Sequence, residues 1–114
     1  MTWNLLKLKT HIDFMKTPKL KTNPAAGLIA DSLEHENISA AAASRAMQIP
    51  RSRLSDIFAG RKGVSADTAL RLERYLGISS ALLVRLQADY DLSQAVQSKS
   101  QTIRAEVRPL TATV

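Results

Sequence analysis

QIPRSRLSDIFAGRKG, residues 48–63, contains the pattern from which most of the fold can be predicted. Its centre predicts a short helix over 51–59, in which Leu54, Ile57 and Phe58 fall on one side at about 100° per residue. We expect those three side chains to be buried. The other side of the helix is polar and basic, and the sequence Gly-Arg-Lys-Gly predicts a basic turn after it.

A second short helix is predicted immediately upstream. Residues 40–47 are mostly alanine, and Ser39 is placed where a serine caps a helix N-terminus. Only a short turn separates the two helices, which is the spacing of a helix-turn-helix motif. In that arrangement Ala43 and Met47 face inward, and Ile49 fills the turn. The motif predicts that the second helix enters a groove of DNA.

The exposed side of the second helix has the chemistry that DNA recognition needs. Short polar groups along the centre of such a helix reach base edges in the major groove, while long cations at its sides reach guanine acceptors or phosphates. The residues that we expect to face DNA, on this helix and on the turn after it, are Arg51, Ser52, Arg53, Ser55, Asp56, Arg61 and Lys62.

Two parts of this prediction have alternatives. Asp56 would repel phosphates, so it either accepts a hydrogen bond from a cytosine amino group or pairs with Arg53 three residues earlier. Arg61 and Lys62 adjoin the exposed face, which favours phosphate binding, and a solvated turn is the alternative.

Composition limits the fold and the kinds of site. The 114 residues are 45% hydrophobic but only 4% aromatic, so the core is aliphatic, which favours an all-α domain. The chain has no cysteine, which excludes disulfides and thiolate metal sites and fits a reducing cytoplasm. The two histidines, His11 and His35, are far apart, and no phosphate loop or Ser-His-Asp set occurs. We therefore predict no enzyme, no catalytic residue, no metal and no cofactor.

The net charge of +6 is concentrated in two segments. Residues 1–22 carry five lysines against Asp13, which gives +4, and residues 45–63 carry five cations against Asp56, which again gives +4. Solubility alone would explain evenly spread charge, whereas local clusters favour a polyanionic partner. No apolar run approaches the roughly 18 residues of a membrane helix, and lysines interrupt the apolar N-terminal stretch, so we expect a cytoplasmic protein.

Helix-capping residues predict three more helices, and hence a five-helix domain over 23–95. They are Asn23-Pro24 before the first helix, Ser65 before the fourth, Gly77 after it, and Ser79 or Ser80 before the fifth. A basic N-terminal arm, 1–22, and a polar C-terminal tail, 96–114, are expected on either side. Within the tail, residues 103–110 are interpreted either as a short strand or as a frayed extension.

The arm contains an alternating segment. Leu6, Leu8, Ile12 and Phe14 fall on one side of residues 5–14, opposite mostly charged residues, which is the period of a β-strand. A disordered basic arm is the alternative, because no second strand is an obvious partner. Translation from Met15 would remove the segment altogether.

The chain resembles the HigA-type antitoxins of the XRE-like helix-turn-helix family, from residue 23 to about 95. The resemblance rests on IPRSRLSDIFAGRKGVSADTALRLERYLG, residues 49–77, and on LQADYDL, residues 86–92. It implies a five-helix XRE/lambda-repressor-like DNA-binding domain that dimerises on a palindromic operator. It also implies a HigB-type toxin, a ribonuclease related to RelE, which the antitoxin neutralises. Carried over residue by residue, the base-facing positions are Arg51, Ser52, Ser55 and Asp56.

The sequence departs from the family's pattern at positions away from the expected DNA face. The usual His-Pro-Gly opening is Asn23-Pro24-Ala25, Leu83 replaces a tryptophan, and Arg85 replaces an asparagine. Residues 1–14 precede the family's usual start. These departures bear on dimer or toxin contacts more than on DNA binding.

A homodimer and a toxin partner are therefore expected. The dimer interface is predicted on the fifth helix at Leu82, Leu83 and Leu86, with burial of at least one of them in the monomer core as the alternative. The toxin is expected to bind either the alternating side of the arm, by strand addition, or the acidic first helix. The acidic residues of that helix and its end are Asp31, Glu34 and Glu36.

Two other functions are compatible with the sequence. One is a stand-alone XRE-like transcriptional regulator without a toxin partner, and the other is an all-α interaction module that does not bind DNA. Salt-dependent binding to duplex DNA separates the second from the rest.

Overall fold

The computed structural model describes residues 19–111 and contains, within that range, five α-helices and no strand. The predicted all-α, five-helix fold is confirmed for this part of the chain. The alternating segment at 5–14, predicted as a strand or as a disordered arm, lies outside the described residues. The helices are α1 (Pro24–His35), α2 (Ala40–Met47), α3 (Arg51–Phe58), α4 (Ala66–Leu76) and α5 (Ser80–Glu106).

Four helices begin at caps that the sequence predicted. In each, a side-chain oxygen accepts a hydrogen bond from one of the first backbone N–H groups, which have no partner inside the helix. The acceptors and donors are Asn23 Oδ1 and Ala25 N (3.0 Å), Ser39 Oγ and Ala42 N (3.1 Å), Ser65 Oγ and Thr68 N (3.2 Å), and Ser79 Oγ and Leu82 N (3.2 Å).

The hydrophobic core within residues 21–90 is aliphatic, as predicted, and receives side chains from all five helices. Ala43 and Met47 of α2 are buried, and so is Ile49 in the turn that follows. Ser44 is also buried, and its hydroxyl donates to the backbone carbonyl of Ala40 at 2.7 Å. A small side chain with its polar atom satisfied allows the neighbouring helix to approach closely.

Phe58 does not belong to the core. It is 39% exposed, so the prediction that it is buried is wrong, whereas Leu54 and Ile57 are fully buried as expected. Phe58 is the last residue of α3, and it lines a depression together with Gly27 and Ala30 of α1. Because those two residues offer little side chain, part of the ring stays in contact with solvent.

The described residues form two compact units. One comprises residues 21–90, and the other comprises 19–20 and 91–111. In the second unit the backbone N–H of Leu20 donates to the Ser93 hydroxyl at 2.7 Å. Helix α5 continues to Glu106, so the segment 103–110 begins as a helical extension and contains no strand. The domain boundaries after residues 22 and 95 remain predictions.

Candidate nucleic-acid interface

The helix-turn-helix is held by the way in which α2 ends. Gln48 adopts the left-handed conformation, with φ of 55°, and its N–H donates to the carbonyl of Arg45 at 3.2 Å. The N–H of Ile49 donates to the carbonyl of Ser44 at 3.0 Å. These two bonds form a Schellman motif, which turns the chain away from the axis of α2. Helix α3 therefore begins shortly after α2 ends, and the two helices pack against each other.

Arg71 of α4 supports this turn. Its Nη1 donates to the backbone carbonyl of Met47 at 2.9 Å, and its Nε donates to the Asp67 carboxylate at 2.6 Å. One guanidinium thus binds the last residue of α2 and an acid one turn earlier on its own helix. This role of Arg71 was not predicted from the sequence. The i,i+4 spacing of Asp67 and Arg71 is a signal from which the ion pair could have been found, but nothing in the sequence indicates the contact with Met47.

The structure brings four of the predicted DNA-facing residues together on the exposed part of α3. The side of the helix formed by Leu54 and Ile57 is buried in the core. The predicted DNA-facing residues that are exposed on this helix are Arg51, Ser52, Arg53 and Ser55. Helix α3 therefore presents hydroxyl groups flanked by guanidinium groups, which is the chemistry that base edges and phosphates bind.

The last three predicted residues lie at the end of α3 and in the turn. Asp56 pairs with Arg61, with 2.8 Å between Oδ1 and Nε, and not with Arg53, which was one of the two alternatives considered for it. The physical reason is Gly60, whose φ of 78° returns the chain towards α3 and places Arg61 beside Asp56. Lys62 is exposed and follows Arg61 in the turn.

The far side of this turn is anchored to α5 by Gln87. Its Oε1 accepts hydrogen bonds from the backbone N–H of Val64 at 2.9 Å and from Asn23 Nδ2 at 2.8 Å. Gln87 is buried, and a Cβ at Gly63 would lie only 2.7 Å from its Nε2. This role, too, was not predicted from the sequence. The available signal was a glutamine one turn after Leu83, at a helical position that faces the core.

The three leucines predicted at the dimer interface differ in burial. Leu83 is fully buried, whereas Leu82 is 43% exposed. Leu86 is partly buried and packs against the core. Leu83 is therefore a core residue, which was the alternative role, and Leu82 is the most exposed of the three side chains.

Membrane-spanning helices and metal-binding clusters are both absent from residues 19–111. No helix in that range is long and apolar enough to span a lipid bilayer. The same range contains no cluster of three or more His, Cys, Asp or Glu side chains that would hold a metal ion.

Comparison with known proteins identifies the same fold and motif. A helix-turn-helix family model matches residues 29–83. The chain is 36% identical over 77 residues to virulence-associated protein I of Dichelobacter nodosus, covering 68% of this chain and 71% of that protein.

Two solved structures extend the comparison. One is the Pseudomonas aeruginosa antitoxin HigA with the higBA promoter, at 32% identity and a TM-score of 0.70 over 82% of this chain and 99% of that one. The other is an addiction module antidote protein of a HigA family from Coxiella burnetii, at 30% identity and a TM-score of 0.66 over 76% and 95%. The chain belongs to the HigA family of XRE-like helix-turn-helix proteins.

Proposed function

We propose that this protein is the antitoxin of a type II toxin–antitoxin module, which binds operator DNA through α3 and neutralises a HigB/RelE-type ribonuclease toxin. The main support for DNA binding is the exposed row of hydroxyl and guanidinium groups on α3. It lies opposite Leu54 and Ile57, which anchor the helix in the core. The similar Pseudomonas aeruginosa structure, in which an antitoxin is accompanied by promoter DNA, supports the same assignment.

The residues of this face have different expected roles. Arg51 begins α3, and the first residues of a recognition helix contact base edges, so we assign it to a guanine. Ser52 and Ser55 supply short hydroxyl groups between the cations. Arg53 and Lys62 are exposed cations at the sides of this face, and they suit phosphate oxygens.

A two-fold dimer follows from the size of the recognition helix. Helix α3 has eight residues and spans only a few base pairs. Proteins with this motif bind two half-sites about 34 Å apart, one for each subunit. Leu82, the exposed member of the predicted leucines, is the proposed contact, with Leu86 at its edge.

For the toxin, α1 offers a surface of opposite charge within the described residues. Toxins that cleave RNA carry basic surfaces, and Asp31, Glu34 and Glu36 are all exposed. Asp31 and Glu36 also line a depression together with Leu76. The alternating segment of the N-terminal arm is the second proposed contact, by strand addition to a sheet edge.

The role we infer is binding rather than catalysis, and its DNA target implies that the protein acts in the cytoplasm. The stand-alone regulator is the second candidate function, since it would use the same DNA-binding face without a toxin. The adjacent gene distinguishes the two: co-expression of this chain with its neighbour should yield a co-purified small basic protein whose toxicity the chain suppresses. Operator binding without any such partner would favour the stand-alone regulator, and absence of DNA binding would contradict both.

The same co-expression assay locates the toxin contact. One variant lacks residues 1–14, and another replaces Asp31, Glu34 and Glu36 by alanine. If the truncated chain fully rescues cells from the toxin and binds it with unchanged affinity, the arm is excluded as the toxin contact and α1 remains. Full rescue by the α1 variant would exclude the acidic surface instead.

A further inference from the structure

Asp56 is the only acidic residue on α3, and it would face the phosphates that α3 approaches. A carboxylate at that position repels a polyanion unless a cation compensates it. In the structure the compensating cation is Arg61, five residues later, with its Nε 2.8 Å from Asp56 Oδ1. Side-chain exposure is 63% for Arg61 and 25% for Asp56, so the guanidinium is the more solvent-exposed member of the pair.

The backbone holds the same two residues together. The N–H of Arg61 donates to the carbonyl of Asp56 at 2.8 Å, and the N–H of Gly60 donates to the carbonyl of Ile57 at 3.2 Å. These bonds form a Schellman motif with Gly60 in its left-handed position. Lys62 N–H also donates to the Asp56 carbonyl, at 3.2 Å. Asp56 therefore binds the basic turn through both its backbone and its side chain.

The contact leaves the outer end of the guanidinium available. Arg61 uses only Nε to reach Asp56, and an arginine has four further N–H donors on its two Nη atoms. Within residues 19–111, those Nη atoms form no hydrogen bond. A guanidinium held at Nε and open at Nη can donate to a phosphate oxygen without first ordering a long, flexible side chain.

We propose that Asp56 is a positioning residue for DNA binding: it holds Arg61 with its Nη groups directed at the DNA backbone and does not itself read a base. This inference rests on the proposed DNA-binding function and assigns a role to the one acid of the recognition helix. The expected change in DNA affinity is opposite to the one that charge repulsion alone would give. Removing the negative charge of Asp56 weakens DNA binding, because Arg61 loses its orientation.

The test is a double-mutant cycle on operator DNA. Affinities of wild type, Asp56→Ala, Arg61→Ala and the double variant are measured by fluorescence anisotropy at several salt concentrations, with thermal unfolding as a check on the fold. We expect Asp56→Ala to bind about 2- to 5-fold more weakly than wild type, the range available to an exposed ion pair. In the Arg61→Ala background, Asp56→Ala should cause no further loss. Asp89→Ala, which removes an exposed acid from α5, is the matched control for net charge and should not weaken binding.

Two results would overturn the proposal. If Asp56→Ala binds as tightly as wild type or more tightly, the carboxylate does not orient a DNA contact. If it loses discrimination at a single base pair, and loses it equally in the Arg61→Ala background, Asp56 reads a base. Failure of the proposed function is distinguishable from both results, because wild type itself would then show no salt-dependent preference for the operator.

Discussion

The backbone N–H of Val64 donates to Gln87 Oε1 across 2.9 Å, and this bond joins the end of the basic turn to α5. The same oxygen accepts a hydrogen bond from Asn23, the cap of α1. One buried amide thus connects three segments that are distant in sequence. The turn that carries Arg61 and Lys62 is held at its start by Asp56 and at its end by Gln87.

Replacing Gln87 by alanine should destabilise the fold. Val64 is buried, so its N–H would lose its acceptor without free access to water, which costs about 1–3 kcal/mol. The free energy of unfolding is measured by urea denaturation. Gln101→Ala, an exposed glutamine on the same helix, is the control and should change stability by less than about 0.5 kcal/mol. Equal effects of the two substitutions would show that the bond to Val64 contributes nothing.

Gly60→Ala and Gly27→Ala should change stability in opposite directions. Neither new Cβ would meet an atom within 4 Å, so the comparison isolates the backbone. Gly60 has φ of 78°, where an L side chain is strained by about 1–2 kcal/mol. Gly27 lies inside α1, where alanine is favoured over glycine by about 0.5–1 kcal/mol. Thermal and urea unfolding measure the stability of both variants. Stabilisation by Gly60→Ala would contradict the role given to the left-handed turn.

Arg71→Lys should destabilise the helix-turn-helix although it preserves the charge. A lysine ammonium cannot reproduce the planar fork that binds the Met47 carbonyl and the Asp67 carboxylate together. We expect a loss of about 0.5–1.5 kcal/mol in the free energy of unfolding. Arg74→Lys, at an exposed arginine of the same helix, should have almost no effect. If the two lysine variants are equally stable, the contact with Met47 is not structurally important.

Substitutions at two neighbouring leucines of α5 should have different effects, one on the stability of the fold and the other on dimer formation. Leu83→Ala removes a fully buried side chain and should lower the free energy of unfolding by about 2–5 kcal/mol. Leu82→Glu changes an exposed side chain and should leave the fold intact while converting the proposed dimer to a monomer. Light scattering measures the molecular mass, and urea denaturation measures the free energy of unfolding. A Leu82→Glu variant that keeps the wild-type mass would remove Leu82 from the interface.

Local patterns in the sequence predicted most helix boundaries. Ser39 and Ser65 act through donors three residues away, and Gly77 ends α4 through its own left-handed backbone, so short windows contain the relevant interactions. Ala43 and Met47 were placed correctly for the same reason, since the helical period fixes which side faces the core.

The features that were not predicted correctly depend on tertiary structure. The burial of Phe58 was predicted wrongly because helical periodicity gives only the side of α3 on which the ring lies. It does not show which residues of a neighbouring helix face that side. Neither alternative for Asp56 included Arg61, because the left-handed Gly60 that returns the chain towards α3 brings the two residues together. Gln87 bonds to groups 23 and 64 residues away, a separation that no local pattern encodes.

The proposal that the exposed face of α3 reads operator DNA is tested most directly by titrating wild type, Arg51→Ala and Lys99→Ala against a labelled duplex from upstream of the gene. Fluorescence anisotropy at fixed salt gives the three dissociation constants. We predict that Arg51→Ala loses about 1–3 kcal/mol of binding free energy, or roughly 5- to 150-fold in affinity, because a guanine loses its arginine. Lys99→Ala, which removes an exposed cation from α5, should bind almost as wild type does. Equal affinities for Arg51→Ala and wild type would contradict the assignment of α3 as the recognition helix.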